Sequence, residues 1–85
     1  MNAKTWHVDI ELAEKGRDTR ARAVLVTDTG DVVDGTGLAR RNPLDEPVAE
    51  IGDELAAGRA LVNLSTRLRD RADADIAAAE NGSYH

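Results

Sequence analysis

From Trp6 to Leu12 the chain alternates without a break, apolar at Trp6, Val8, Ile10 and Leu12 and polar at His7, Asp9 and Glu11. Period two over seven residues predicts a strand at about 6–12 with those four side chains on its inward face. Glu14-Lys15-Gly16-Arg17-Asp18 reads as a charged turn around a glycine, and a second strand is predicted over about 19–27. If paired residues sum to 33, Val8 meets Leu25, Ile10 meets Ala23 and Leu12 meets Ala21, while Glu11 meets Arg22 on the other face. A slip of one would put Arg22 on the buried face, which fixes the register. Asp28-Thr29-Gly30-Asp31 supplies the next turn, and a third strand is predicted over 32–40 with Val33, Gly35, Gly37 and Ala39 inward. Its two glycines either admit the close approach of a helix or mark a bulge.

After the linker Arg40-Arg41-Asn42-Pro43-Leu44-Asp45-Glu46-Pro47 the period lengthens. A helix is predicted over about 47–80, with Pro47 in its first turn, Asp45 or Glu46 capping it and Asn81-Gly82 stopping it. Its 3–4 spaced stripe reads Val48, Ile51, Leu55, Gly58, Leu61/Val62, Ser65, Leu68 and Ala72, widened by Leu64, and the glycine at 58 is expected against Gly35 or Gly37. Such a helix spans about 50 Å at 1.5 Å per residue. Strands of eight or nine residues span about 27–30 Å, so the sheet covers the helix only to about Leu68. Residues 81–85 are expected to be disordered. The pattern as a whole predicts one α+β domain over 1–85, a three-stranded antiparallel meander with one long C-terminal helix packed on one face.

Composition narrows the chemistry. There is no cysteine, hence no disulfide and no thiolate site, and no apolar run approaches the roughly 20 residues of a membrane span. A cytoplasmic location fits, with no membrane partner. The net charge of −5 sits wholly in residues 43–85, which discourages phosphate backbones as general partners. Asp28-Thr29-Gly30 spells the aspartic-protease triplet, but the chain lacks the further strands that shelter a shared-proton dyad, and the triplet is also ordinary turn chemistry. Gly35-Thr36-Gly37 lacks the third glycine and the parallel βαβ unit of a dinucleotide fingerprint. His7 and His85 have no third ligand in reach, Arg67 to Arg71 reads as a solvated helical face, and no nucleophile–base grouping can be placed. The chain is therefore expected to be no enzyme and to carry no cofactor or metal.

The run Gly37-Leu38-Ala39-Arg40-Arg41-Asn42-Pro43, then Asp45 and Pro47, then Ile51-Gly52-Asp53-Glu54-Leu55-Ala56 and Arg59-Ala60-Leu61 resembles a small actinobacterial family of unknown function. That family is described as double-stranded-RNA-binding-domain-like. The resemblance covers about residues 4–68 and implies the same β-β-β-α order, without the first helix of the true RNA binders. It brings no activity and no catalytic residues. Where those binders place a Lys cluster, at the N-terminus of the last helix, this chain has Asp45, Glu46, Glu50, Asp53 and Glu54.

The leading expectation is a non-catalytic interaction module acting as a homo-oligomer, most simply a dimer. One helix leaves the second sheet face bare, and the candidate interaction surface comprises Arg20, Arg22, Val24 and Val26 with Arg40, Arg41 and Asn42 of the corner. The helix beyond Asp70 is a further candidate contact. The alternative is a nucleic-acid binder using Arg20, Arg22, Arg40 and Arg41, a surface other than the usual helix.

Overall fold

The computed structural model describes residues 2–82 and has the order β1 (Val8–Lys15), β2 (Asp18–Val26), β3 (Val32–Arg40) and α1 (Ala49–Glu80). The three strands form an antiparallel meander in spatial order β1-β2-β3. The expected fold class is the observed one. In the first hairpin Val8 faces Leu25, Ile10 faces Ala23 and Glu11 faces Arg22, the register that keeps Arg22 off the core. β1 runs to Lys15, past the 12 expected, because the turn is a tight two-residue loop whose Gly16 holds φ +61°. The second hairpin pairs continuously from Asp18 opposite Arg40 to Val26 opposite Val32, with no bulge at either glycine.

The glycines of β3 serve the helix. A methyl group on Gly35 would collide with the backbone nitrogen of Leu64 and lie 2.6 Å from the Ala60 carbonyl oxygen. On Gly37 it would collide with the Ala56 carbonyl oxygen and lie 2.5 Å from the Ala60 nitrogen. The helix backbone therefore rests directly on the strand, and only small side chains fit between them. This corrects the predicted stripe. The residues that pack are Ala56, Ala60 and Leu64, with Leu68 at the margin, whereas Ile51, Leu55, Leu61 and Val62 are exposed. Gly58 touches nothing and does not meet β3; Gly52 instead abuts the Thr19 hydroxyl.

The buried core is correspondingly small-grained: Ala21, Ala23, Leu25, Val33, Ala39, Ala56, Ala60 and Leu64. The helix starts at Val48 without a side-chain cap, so neither Asp45 nor Glu46 plays that part. Past Leu68 it leaves the sheet, and Ala72 to Ala77 are exposed. Asn81 and Gly82 close it by donating to the Ala77 and Ala79 carbonyls, Gly82 at φ +71°. Ser83 to His85 of the expected disordered end lie outside the described residues.

Candidate interaction surface

The central observation is a covered strand beside an uncovered one. Residues directly opposite in an antiparallel pair point to the same face. Yet Ala21, Ala23 and Leu25 of β2 are 3%, 0% and 1% exposed, while their partners Leu12, Ile10 and Val8 are 46%, 38% and 40% exposed. Dimensions explain this. A helix is about 10 Å across and three strands at about 4.8 Å spacing are wider than that. Because α1 is seated on Gly35 and Gly37 of β3, it covers β2 and only grazes β1.

Side chains hold α1 at that edge. Arg59 Nη1 donates to the Leu38 carbonyl at 2.6 Å, and Asn63 Nδ2 donates to the Thr36 carbonyl at 2.5 Å. Successive helical residues are 100° apart, so Leu61 lies on the other flank of Ala60 from Arg59, toward β1. The uncovered strip thus has Val8, Ile10 and Leu12 as its floor and Leu61 along one side. Trp6 continues the row but is tied by its indole N–H to Asp28 Oδ1 at 3.0 Å, and Lys4 binds the same carboxylate at 3.2 Å. These bonds, the indole first, hold the Asp28 carboxyl below its ordinary value. The Asp-Thr-Gly triplet is accordingly a turn that anchors the N-terminal segment.

The residues singled out in the sequence lie elsewhere. Arg20, Arg22, Val24, Val26 and Arg40 are on the opposite face, which is largely a lattice of ion pairs. Arg22 Nε meets Asp34 at 2.9 Å, and Arg40 grips Asp18 through Nε and Nη2 at 2.7 and 3.1 Å. That hydrogen bond is the chief reason the Asp18 carboxyl titrates below its ordinary value. Arg67 and Arg71 reach down from the helix to Asp34 and Asp31 at 3.7 and 2.8 Å. Arg41 and Asn42 brace the corner: the Arg41 side chain donates to the Asp45 carbonyl, and Asn42 Oδ1 accepts from the Leu44 N–H. Among the described residues the Arg20 side chain alone of these cations makes no ion pair or hydrogen bond. A hollow of about 950 Å³ opens beside it, bounded by Ala13, Leu38, Leu55 and Arg59.

The uncovered strip was not found from the sequence. The available signal was the small-residue spacing Gly52-Ala56-Ala60 opposite Gly35-Thr36-Gly37, which selects a different helix face from the larger apolar residues. The total surface reflects the elongated shape of the molecule, 56 Å along its longest axis, as well as this strip. The chain exposes 6718 Å² at 9.1 kDa, where a compact monomer of that mass exposes about 4,900 Å².

A three-stranded meander with a single helix defines a small α+β scaffold of the β-β-β-α type. Among the described residues no helix is long and apolar enough to cross a membrane. Residues 4–85 match the model of the Rv2632c-like family, and the chain belongs to that family. It is 46% identical over 76 residues to the uncharacterized protein Rv2632c of Mycobacterium tuberculosis, covering 89% of this chain and 81% of that one. To the uncharacterized protein Mb1767 of Mycobacterium bovis it is 47% identical over 73 residues, covering 86% and 77%. The crystal structure of Rv2632c superposes with a TM-score of 0.85 at 44% identity, over 93% of each chain.

Proposed function

We propose that this chain is a non-catalytic interaction module of the cytoplasm that works as a homo-oligomer, most simply a dimer, with a second copy over the strip of Val8, Ile10, Leu12 and Leu61. One observation carries the reading: three strand residues on the core-facing side stay about two-fifths exposed beside partners that are fully buried. Apolar strips of this kind are covered in stable assemblies.

Sedimentation equilibrium from micromolar to millimolar protein tests it. A dimer is expected, reduced to monomer by Ile10→Asp and unaffected by Val26→Asp on the opposite face. A wild-type chain that stays monomeric throughout overturns the reading. A dimer broken by Val26→Asp and kept by Ile10→Asp would assign the contact to the outer face instead. The nucleic-acid reading has less behind it, since Arg22 and Arg40 already hold carboxylates and Arg41 braces the corner.

A further inference from the structure

The two edges of the sheet are treated differently. Alternate residues of an antiparallel strand send both backbone groups to the same neighbour. Thr27 donates to the Asp31 carbonyl and Arg41 to the Arg17 carbonyl, so the odd-numbered residues of β2 and β3 bond to each other. The even-numbered residues of β3 therefore face outward, and two of their carbonyls, of Thr36 and Leu38, are taken by Asn63 and Arg59 of the helix. In β2 the even residues Arg20, Arg22 and Val24 turn to β1 and pair with Ala13, Glu11 and Asp9. It follows that Val8, Ile10, Leu12 and Glu14 present their N–H and C=O groups along the outer edge of β1. Among the described residues nothing bonds to that edge.

We infer that the β1 edge accepts an extended segment of another protein that alternates apolar residues with Lys or Arg. The pleat sets this chemistry. A strand laid on the Val8–Leu12 stretch of β1, short of Glu14 and Lys15, would place one row beside Val8, Ile10 and Leu12 and the other beside Asp9 and Glu11. The first row is apolar and already exposed, so it favours apolar neighbours. The second row is acidic. Neither Asp9 nor Glu11 is engaged in an ion pair among the described residues, so it favours cations directly opposite. A second copy centred on Ile10 would set Asp9 against the partner's Glu11, like charges face to face, whereas one centred on Leu12 would set Asp9 against the partner's Lys15; pairing of two β1 strands is therefore an outcome the test must separate. The chain's net charge of −5 draws a basic segment in the same direction. This inference concerns backbone groups at the strand's rim, and it stands apart from the copy-on-copy contact over the face above.

The probe is a fluorescein-labelled peptide of alternating valine and lysine with glycine ends, read by anisotropy at low salt against its valine–glutamate counterpart. The wild-type chain is expected to bind the lysine peptide and not the glutamate one. Amide exchange should slow at Val8, Ile10 and Leu12, whose N–H groups face the edge, and not at Asp9 or Glu11. Asp9→Lys, which sits opposite Val24 and meets no like charge across the strand, should weaken the lysine peptide about fivefold and admit the glutamate one. Glu11→Lys should do the same, with circular dichroism to check that its position opposite Arg22 is tolerated. Sedimentation of the same samples separates this result from the oligomer question. Absence of binding overturns the inference, as does binding equal for both peptides or unchanged in Asp9→Lys. β1 pairing with the β1 of a second copy, seen as edge-amide protection without peptide, overturns it as well.

Discussion

The seam between α1 and β3 and the strip along β1 lie on the same side of the same sheet and are built on opposite rules. At the seam the residues are as small as chemistry allows, Gly35, Gly37, Ala56 and Ala60, and the backbones touch. Along the strip they are large and branched, Val8, Ile10 and Leu12, and among the described residues nothing buries them fully. Burial here follows the approach distance of the helix rather than hydrophobicity, so five alanines join Leu25, Val33 and Leu64 in the core while Ile10, Leu12, Ile51 and Leu61 stay exposed. A single helix seated low enough to touch β3 cannot also be wide enough to cover β1, and what is gained in contact at one edge is left open at the other.

The largest test of this contrast is Gly35→Ala. The added carbon meets helix backbone, which cannot swing aside as a side chain would, so the cost should exceed the about 1–3 kcal/mol of ordinary overpacking. Loss of the cooperative thermal transition, or a fall in its midpoint well beyond that of Leu25→Ala, is the expected outcome. A Gly35→Ala protein as stable as the wild type would show that the helix does not rest on the strand.

Next in size is a matched pair, Leu25→Ala and Ile10→Ala, which sit on one face in neighbouring strands. Leu25 is fully buried, and its truncation should cost about 2–5 kcal/mol at any protein concentration. Ile10 should cost far less in dilute solution and progressively more as concentration rises and a second copy covers it. Urea unfolding across a concentration series measures both. Equal, concentration-independent costs would erase the difference between the two regions.

The contrast also explains what could be read in advance. Strand period, turn glycines and the need to keep Arg22 off the core specify the meander and its register, because a sheet's faces are set locally by the pleat. The helix's existence and its overhang past Leu68 follow from period and length. Its rotation does not. Ile51, Leu55, Leu61 and Val62 make the more hydrophobic stripe, and a rule that buries the most apolar face selects it. The true facing was determined by a pairwise fit of Gly35 and Gly37 with Ala56 and Ala60, residues with little hydrophobicity of their own. The same fit determines which strand goes uncovered, so the strip could not be placed before the helix was. The arginines of the sheet were legible as exposed, but their pairing with Asp18 and Asp34 depends on neighbours across the strands.

A smaller effect comes from the glycine that the stripe misplaced. Gly58 faces solvent with nothing near its missing side chain, and its backbone is ordinary helix. Gly58→Ala should raise stability by roughly 0.5–1 kcal/mol, the helix-propensity gain, whereas Gly37→Ala one seam away should be ruinous. A destabilised Gly58→Ala would mean that the back of the helix is itself a close contact, with a second copy as its only available source, and the oligomeric state of the variant would show it.

The smallest expected effect lies on the outer face, in the Asp18–Arg40 pair. Arg40 lowers the Asp18 carboxyl from its ordinary value, first by hydrogen bonding and then by charge. A carboxyl whose folded value is depressed binds fewer protons folded than unfolded, so it adds stability above its unfolded value near 3.9 and loses it as pH falls through the folded one. Both groups are open to solvent, so salt screens the pair and the gain is slight. Asp18→Asn should therefore melt a little below the wild type at neutral pH, converge with it in acid below pH 4, and lose part of its deficit in high salt. Ile10→Ala should show neither response, because an apolar contact titrates with nothing. If the two variants followed the same pH curve, the strip would owe its exposure to the charge lattice beneath it rather than to the reach of the helix.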